Sequence, residues 1–70
     1  MTDSIYRVTE VIGTSPTSWE DAAKNGVETA AHSLRDLRVG EIVKLDLTIE
    51  DGKVALYRAR VNISFKYEHE

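Results

Sequence analysis

The sequence predicts a small α+β domain in the order β-α-β-β, with a three-stranded antiparallel sheet wrapped around one helix. Three observations support this fold class: a β-branched segment that stops at Gly13, an Ala-rich amphipathic helix with a clear start, and two alternating segments joined by Asp51-Gly52. Seventy residues suffice for one small domain, so residues 1–70 are interpreted as a single unit.

The first strand is predicted over residues 5–12. This segment is rich in β-branched residues, which favour extended backbone, and it stops at Gly13. The following Thr14-Ser15-Pro16 is typical of a turn.

The helix is predicted to begin near Trp19. Thr17 with Glu20 fits a capping box, and Ser18 with Asp21 is an equally good register. The apolar positions then recur at steps of three and four, which predicts a buried stripe and a helix of about nineteen residues. The stripe is Trp19, Ala22, Ala23, Gly26, Val27, Ala30, Ala31, Leu34 and Leu37. Its many small residues allow the helix to lie close to the sheet.

The remaining chain is predicted to form a long hairpin. Asp51-Gly52 is a strong hairpin signal, because both residues tolerate positive φ. Alternation places the following residues on a shared face of each arm. They are Val39, Glu41, Val43, Leu45, Leu47 and Ile49 in the outgoing arm, and Ala55, Tyr57, Ala59, Val61, Ile63, Phe65 and Tyr67 in the return arm.

The size of the chain predicts assembly. A domain this short has a marginal core, and the chain has no cysteine for disulfides, so oligomerisation is the expected supplement. Each hairpin arm reaches ~40 Å at full extension. The predicted helix reaches only ~29 Å. The overhang is predicted to carry Tyr57, Phe65 and Leu47, which other subunits are therefore expected to cover.

Charge and hydropathy exclude several classes of partner. The net charge of −3, without a basic cluster, argues against nucleic-acid binding. No apolar run approaches the length of ~20 residues that spans a bilayer, which argues against a membrane role. The N-terminus lacks the features of a signal peptide, so a cytoplasmic protein is expected.

The sequence offers no convincing catalytic constellation. His32 is predicted on the solvated side of the helix, and the acidic pairs already serve a cap and a turn. Gly13-Thr14-Ser15 lacks the further glycines and lysine of a phosphate loop, and Asp51-Gly52 lacks the other ligands of a calcium loop. A protein that is not an enzyme is predicted.

Two features leave alternatives open. Trp19 leads the apolar helix stripe, which favours packing at the helix–sheet or subunit junction over stacking on a planar ligand. The cations Arg58, Arg60 and Lys66 share one face of the last strand, with Glu41 and Asp46 on its neighbour. They are interpreted either as cross-strand ion pairs or as an anionic-ligand pocket between subunits.

The chain resembles the dodecin family over nearly its whole length. The matching residues are Tyr6-Arg7-Val8, Val11-Ile12-Gly13-Thr14-Ser15, Ser18-Trp19-Glu20-Asp21-Ala22-Ala23, residues 34–42, Asp51-Gly52-Lys53, Tyr57-Arg58 and Ser64-Phe65-Lys66-Tyr67. The resemblance implies a homododecamer with cubic 23 symmetry that binds and stores a small planar or anionic ligand. The family default is a flavin, FMN or riboflavin, bound at two-fold interfaces, and some bacterial members bind coenzyme A.

The resemblance also carries site residues over to this chain. The candidates for contact with a flavin are Val39, Glu41, Arg58 and Lys66. Val39 stands where flavin-binding members stack a tryptophan, Arg58 replaces a glutamine that hydrogen-bonds the ring, and Asp46 replaces a phosphate-binding arginine. By analogy with stacking on bases, loss of an aromatic partner costs ~1–3 kcal/mol per ring, so weakened flavin affinity is expected.

A branch of the family suggests a second interpretation. Arg38-Val39-Gly40-Glu41-Ile42 and Thr14-Ser15-Pro16-Thr17-Ser18-Trp19 resemble the branch that includes a calcium-binding dodecin. The alternative to flavin storage is therefore a calcium-binding or purely structural dodecin assembly. The resemblance assigns no residue to a metal site.

Overall fold

The computed structural model describes residues 5–66 and has the predicted element order. The elements are β1 (Tyr6–Ser15), α1 (Trp19–Ala30), β2 (Leu37–Glu50) and β3 (Lys53–Lys66). The three strands form one antiparallel sheet in the order β1-β3-β2, with the helix on one face. The α+β fold class is confirmed. Tyr67, which is predicted in the last strand, and the N-terminal residues 1–4 fall outside the described residues.

Helix α1 is shorter than predicted. It ends at Ala30 rather than Leu37, and Asp36 adopts a φ of 56° at the entry to β2. Leu37 instead pairs with Phe65 in the sheet, and the Asp36 carbonyl accepts a hydrogen bond from the backbone N–H of Lys66. Strand pairing therefore overrides the helical spacing of the last apolar residues. His32 lies exposed in the turn after the helix.

Strand β1 is longer than predicted, because it continues through Gly13 to Ser15. Gly13 is needed there by the close approach of the helix. A Cβ built on Gly13 would lie 2.0 Å from the Ala22 carbonyl oxygen and 2.8 Å from the Gly26 nitrogen. The prediction that small residues bring the helix close to the sheet is confirmed.

The core lies between α1 and the centre of β3. Ala22, Ala59, Val61 and Ile63 are buried, and a ring of half-buried side chains packs against them: Val11, Ala23, Val27, Ala30 and Leu37. The buried residues of β3 alternate along the strand, as predicted.

The hairpin turn is confirmed, since Asp51 and Gly52 have φ angles of 52° and 75°. The prediction that Val39 and Glu41 share one face of β2 with Leu45 and Leu47 is wrong. The register shifts between Ile42 and Lys44, where Val43 is an extra residue. Such a bulge exchanges the faces of the residues on either side of it.

The consequence is visible in the cross-strand partners. Val39 and Glu41 pair with Ser64 and Asn62, on the face of the sheet away from α1. Leu45 and Leu47, beyond the bulge, pair with Ala59 and Tyr57 and so share the helix face.

The long hairpin extends beyond the helix, as expected. Twelve helical residues span ~18 Å, whereas fourteen strand residues span ~46 Å, and the longest dimension of the described chain is 57 Å. Large apolar side chains near the hairpin turn are exposed, including Ile49 at 67% and Val54 at 50%. Of the residues predicted on the overhang, Tyr57 and Phe65 are half-buried and Leu47 is 37% exposed. Among residues 5–66, no helix has the length and hydropathy needed to cross a membrane.

Candidate functional site

The predicted site residues lie on the sheet face away from α1, here called the outer face. Its cross-strand rows are Val8–Ser64–Val39, Glu10–Asn62–Glu41, Ile12–Arg60–Lys44 and Thr14–Arg58–Asp46. Lys66 pairs with Tyr6 one row beyond Ser64. The structure thus brings Val39, Glu41, Arg58 and Lys66 to one face.

These residues do not form one compact cluster within a protomer. Arg58 and Lys66 are eight positions apart on β3, which separates them by ~26 Å. Val39 and Glu41 lie toward the Lys66 end, in the rows of Ser64 and Asn62. A small ligand on one protomer therefore contacts one end of this face or the other.

Arg58 is held by Asp46. Its Nε donates to Asp46 Oδ1 at 2.7 Å and its second guanidinium nitrogen donates to Oδ2 at 2.9 Å. This fork geometry is the strong form of an arginine–carboxylate pair. The side chains are 34% and 39% exposed, so the pair lies at the surface. The predicted cross-strand ion pairing is confirmed for these two residues.

The charges around Asp46 act in one direction. The hydrogen bond from Arg58 lowers the pKa of Asp46, opposed by partial burial and reinforced by the positive charges of Arg58, Arg60 and Lys44. The same hydrogen bond and carboxylate raise the pKa of Arg58 above its already high ordinary value. Asp46 is therefore a carboxylate near three cations.

Trp19 fixes the backbone beneath this pair. Its indole N–H donates to the Asp46 carbonyl oxygen at 3.0 Å, and its ring meets Tyr57 edge-on with centroids 5.2 Å apart. The prediction that Trp19 packs at the helix–sheet junction is confirmed. No sequence pattern indicates that this contact reaches Asp46, the residue that pairs with Arg58.

Ser15 organises the start of the helix and was not singled out by sequence. It is 1% exposed; its hydroxyl donates to Asp21 Oδ2 at 2.8 Å and accepts from the Thr17 backbone N–H at 2.9 Å. Ser18 is the N-cap and accepts from the Asp21 N–H at 3.0 Å. Of the two predicted capping registers, the structure has the one based on Ser18 and Asp21.

Two open clefts border the helix. One of about 360 Å³ lies between β1 and α1, against Gly13 and Gly26. The other, of about 330 Å³, lies between α1 and β2, lined by Val27, Ile42 and Val61. Neither contains a predicted site residue.

The described residues 5–66 contain no group of three or more His, Cys, Asp or Glu side chains placed to hold a metal. Glu10 and Glu41 flank Asn62 in one row of the outer face and supply oxygen donors there. A calcium ion takes about six to eight oxygens. Within residues 5–66, this row of one protomer therefore does not supply a full set.

Comparisons with known proteins agree with this architecture. The family model described as Dodecin matches residues 5–68. The curated calcium dodecin of Mycobacterium tuberculosis is 41% identical over 63 residues, covering 90% of this chain and 89% of that protein.

Solved structures extend the match. The dodecin of Streptomyces coelicolor superimposes with a TM-score of 0.92 at 38% identity, over the whole of both chains. A crystal structure from Mycobacterium tuberculosis, described as a calcium-chelating calcium dodecin with a novel calcium-binding site, gives a TM-score of 0.81 at 42% identity over 93% of each chain. With a family model that spans nearly all of its length, the chain belongs to the dodecin family.

Proposed function

We propose that this chain forms a closed homo-oligomer, a dodecamer, which binds and stores a small ligand without catalysing a reaction, and that calcium is its primary ligand. The choice of ligand rests on two side chains of the outer face, which are poorly suited to hold a flavin. Val39 presents an aliphatic side chain, 57% exposed, and Arg58 is committed to Asp46. A calcium-binding relative at 41% identity supports the same choice.

The uncovered hairpin supports the proposed assembly. Ile49 and Val54 are exposed beyond the helix, and burying them against a second copy removes apolar surface from water. Oligomerisation also supplies the stability that a chain of 70 residues lacks alone. A cytoplasmic location and the absence of nucleic-acid or membrane partners remain expectations from composition.

The calcium site is proposed at an interface between protomers, in the row that contains Glu41. Glu10, Asn62 and Glu41 offer hard oxygen donors, which calcium prefers. The next row contains Lys44 and Arg60, whose charges oppose a bound cation. Because calcium takes about six to eight oxygens, a second protomer or water completes the coordination.

Thermal unfolding with calcium tests this function. A ligand that binds only the native state stabilises it by about 2.7 kcal/mol at a concentration of 100 Kd. We expect calcium to raise the midpoint of unfolding, Glu41→Gln to reduce that rise, and Glu28→Gln on the exposed helix surface to leave it unchanged. An unchanged midpoint in millimolar calcium would reject the calcium assignment.

Flavin is the second candidate, favoured by one arrangement. Val39, Glu41 and Lys66 lie at the same end of the outer face and offer an apolar contact, a hydrogen-bond acceptor and a cation. Among the described residues, Tyr6 is the one aromatic side chain on this face, so the fit to a tightly stacked ring is poor. Coenzyme A, through its phosphates, would need the same Lys66 end.

Titration of FMN against the purified protein separates the two candidates. Weak or absent quenching of flavin fluorescence is expected for the natural chain, and Val39→Trp is expected to strengthen it if Val39 contacts the ring. Micromolar quenching by the natural chain, without any effect of calcium, would make flavin the primary ligand.

A further inference from the structure

The centre of the outer face contains like charges directly opposite each other. Lys44 and Arg60 are cross-strand partners, and such pairs place Cβ atoms about 5 Å apart and are destabilising. Arg58 lies two positions from Arg60 on the same side of β3. Three cations therefore occupy two neighbouring rows. We call Lys44, Arg58 and Arg60 the cation cluster.

One carboxylate sits in this cluster. Asp46 accepts two hydrogen bonds from Arg58 and also feels the charges of Arg60 and Lys44. Glu10 and Glu41 lie in the row beyond, and within residues 5–66 no hydrogen bond or ion pair joins either of them to the cluster. Among the described residues, Asp46 is thus the carboxylate in direct contact with the cation cluster.

The Asp46–Arg58 pair is also supported from the helix side of the sheet. The Asp46 backbone carbonyl accepts the Trp19 indole N–H, and Trp19 packs against Tyr57, the neighbour of Arg58 in β3. The helix start thereby holds the Asp46 backbone at its position opposite Arg58. A planar guanidinium that points two donors at two oxygens is the geometry with which proteins bind carboxylate and phosphate alike.

We propose that Asp46 is an internal anion that occupies an anion-binding site formed by the cation cluster, and that it determines the charge of the ligands that the outer face accepts. With Asp46 in place, the face disfavours phosphate groups and admits neutral or cationic ligands. Without its carboxylate, the same cations bind a phosphate-type dianion. This deepens the proposed function, on which it rests only for the identity of the ligand.

Inorganic phosphate is the direct probe. Asp46→Asn keeps the size of the side chain and the backbone carbonyl while it removes the charge. Calorimetric titration at constant ionic strength is expected to show saturable phosphate binding by Asp46→Asn, at least about tenfold tighter than by the natural chain, because charge-assisted hydrogen bonds to Arg58 become available. Asp51→Asn is the matched control, since it makes the same change of charge at an exposed turn that tolerates asparagine.

A double variant identifies the site. Asp46→Asn combined with Arg58→Gln is expected to lose the gained phosphate binding. Retention of phosphate binding in the double variant would overturn the role of Arg58. Equal phosphate affinity of the natural chain and Asp46→Asn, or an equal gain in Asp51→Asn, would overturn the role of Asp46.

Riboflavin and FMN test the same claim on an esterified phosphate, because they share the ring and differ by that group. The ratio of their affinities is expected to shift toward FMN in Asp46→Asn. Phosphate binding without that shift would limit the site to the free ion.

If Asp46→Asn does not fold, Asp46→Ser replaces it. Each folded variant is compared by circular dichroism and oligomer mass. Failure of calcium binding in the natural chain would leave these phosphate results unchanged, so the two proposals fail separately.

Discussion

Replacing Gly13 by alanine is predicted to destabilise the protein sharply, because the added methyl group would meet backbone rather than side chains. The new Cβ would lie 2.0 Å from the Ala22 carbonyl oxygen, 2.8 Å from the Gly26 nitrogen and 2.9 Å from the Gly26 Cα. No rotamer change relieves these contacts, so the helix must move away from the sheet.

The magnitude follows from two opposing effects. Overpacking a well-packed interior costs about 1–3 kcal/mol and occasionally more. Exchange of glycine for alanine restricts the unfolded chain and returns about 0.4–1 kcal/mol where the native site accepts it. At Gly13 the packing cost wins, and a net loss of about 1–3 kcal/mol is expected.

Gly40→Ala is the matched control. Its Cβ would meet only methyl groups of Val61 and Val27, at 3.4 and 3.5 Å. The packing cost is therefore small, and unchanged or slightly increased stability is expected. Urea unfolding followed by Trp19 fluorescence, the one tryptophan signal, measures both variants. Equal destabilisation of the two would refute the reasoning from the close approach of helix and sheet.

Three further changes probe the helix start and the outer face. Ser15→Ala removes the buried hydroxyl shared by Asp21 and the Thr17 N–H, and is expected to cost about 1–3 kcal/mol in urea unfolding; a loss below 0.5 kcal/mol would contradict that role. Trp19→Phe removes the donor to the Asp46 carbonyl, and a loss of about 0.5–1.5 kcal/mol or more is expected by circular dichroism. Folding lowers the pKa of Asp46. The ion pair with Arg58 therefore stabilises the native state above the unfolded pKa of 3.8, and this stabilisation is lost as the pH falls through the folded pKa. Acid titration of Asp46→Asn should therefore show a weaker loss of stability below about pH 4 than the natural chain; identical acid transitions would contradict the ion pair.

Local chemistry made much of the fold predictable. The Asp51-Gly52 turn, the capped helix start and the alternation of β3 each have a short-range cause in the sequence, and all three are present in the structure. The end of the helix was not predictable in this way. Leu34 and Leu37 continue the helical spacing, but Leu37 gains a partner in Phe65 only once the sheet has formed.

The site was predictable in part for a related reason. Resemblance to the family named Val39, Glu41, Arg58 and Lys66 as candidates, and the strand register brings them to one face. Strict alternation puts Val39 and Glu41 on the same face as Leu45, because nothing in the sequence marks Val43 as the bulged residue. The contact of Trp19 with Asp46 spans 27 residues and depends on how the helix docks.

Calcium binding by chelator-treated protein is the measurement that tests the central claim most directly. Isothermal titration of the intact assembly is predicted to show saturable binding of calcium that is weakened by Glu41→Gln and kept in Glu28→Gln. Absence of calcium binding at millimolar concentration, together with tight binding of FMN by the same preparation, would contradict the assignment of calcium as the primary ligand.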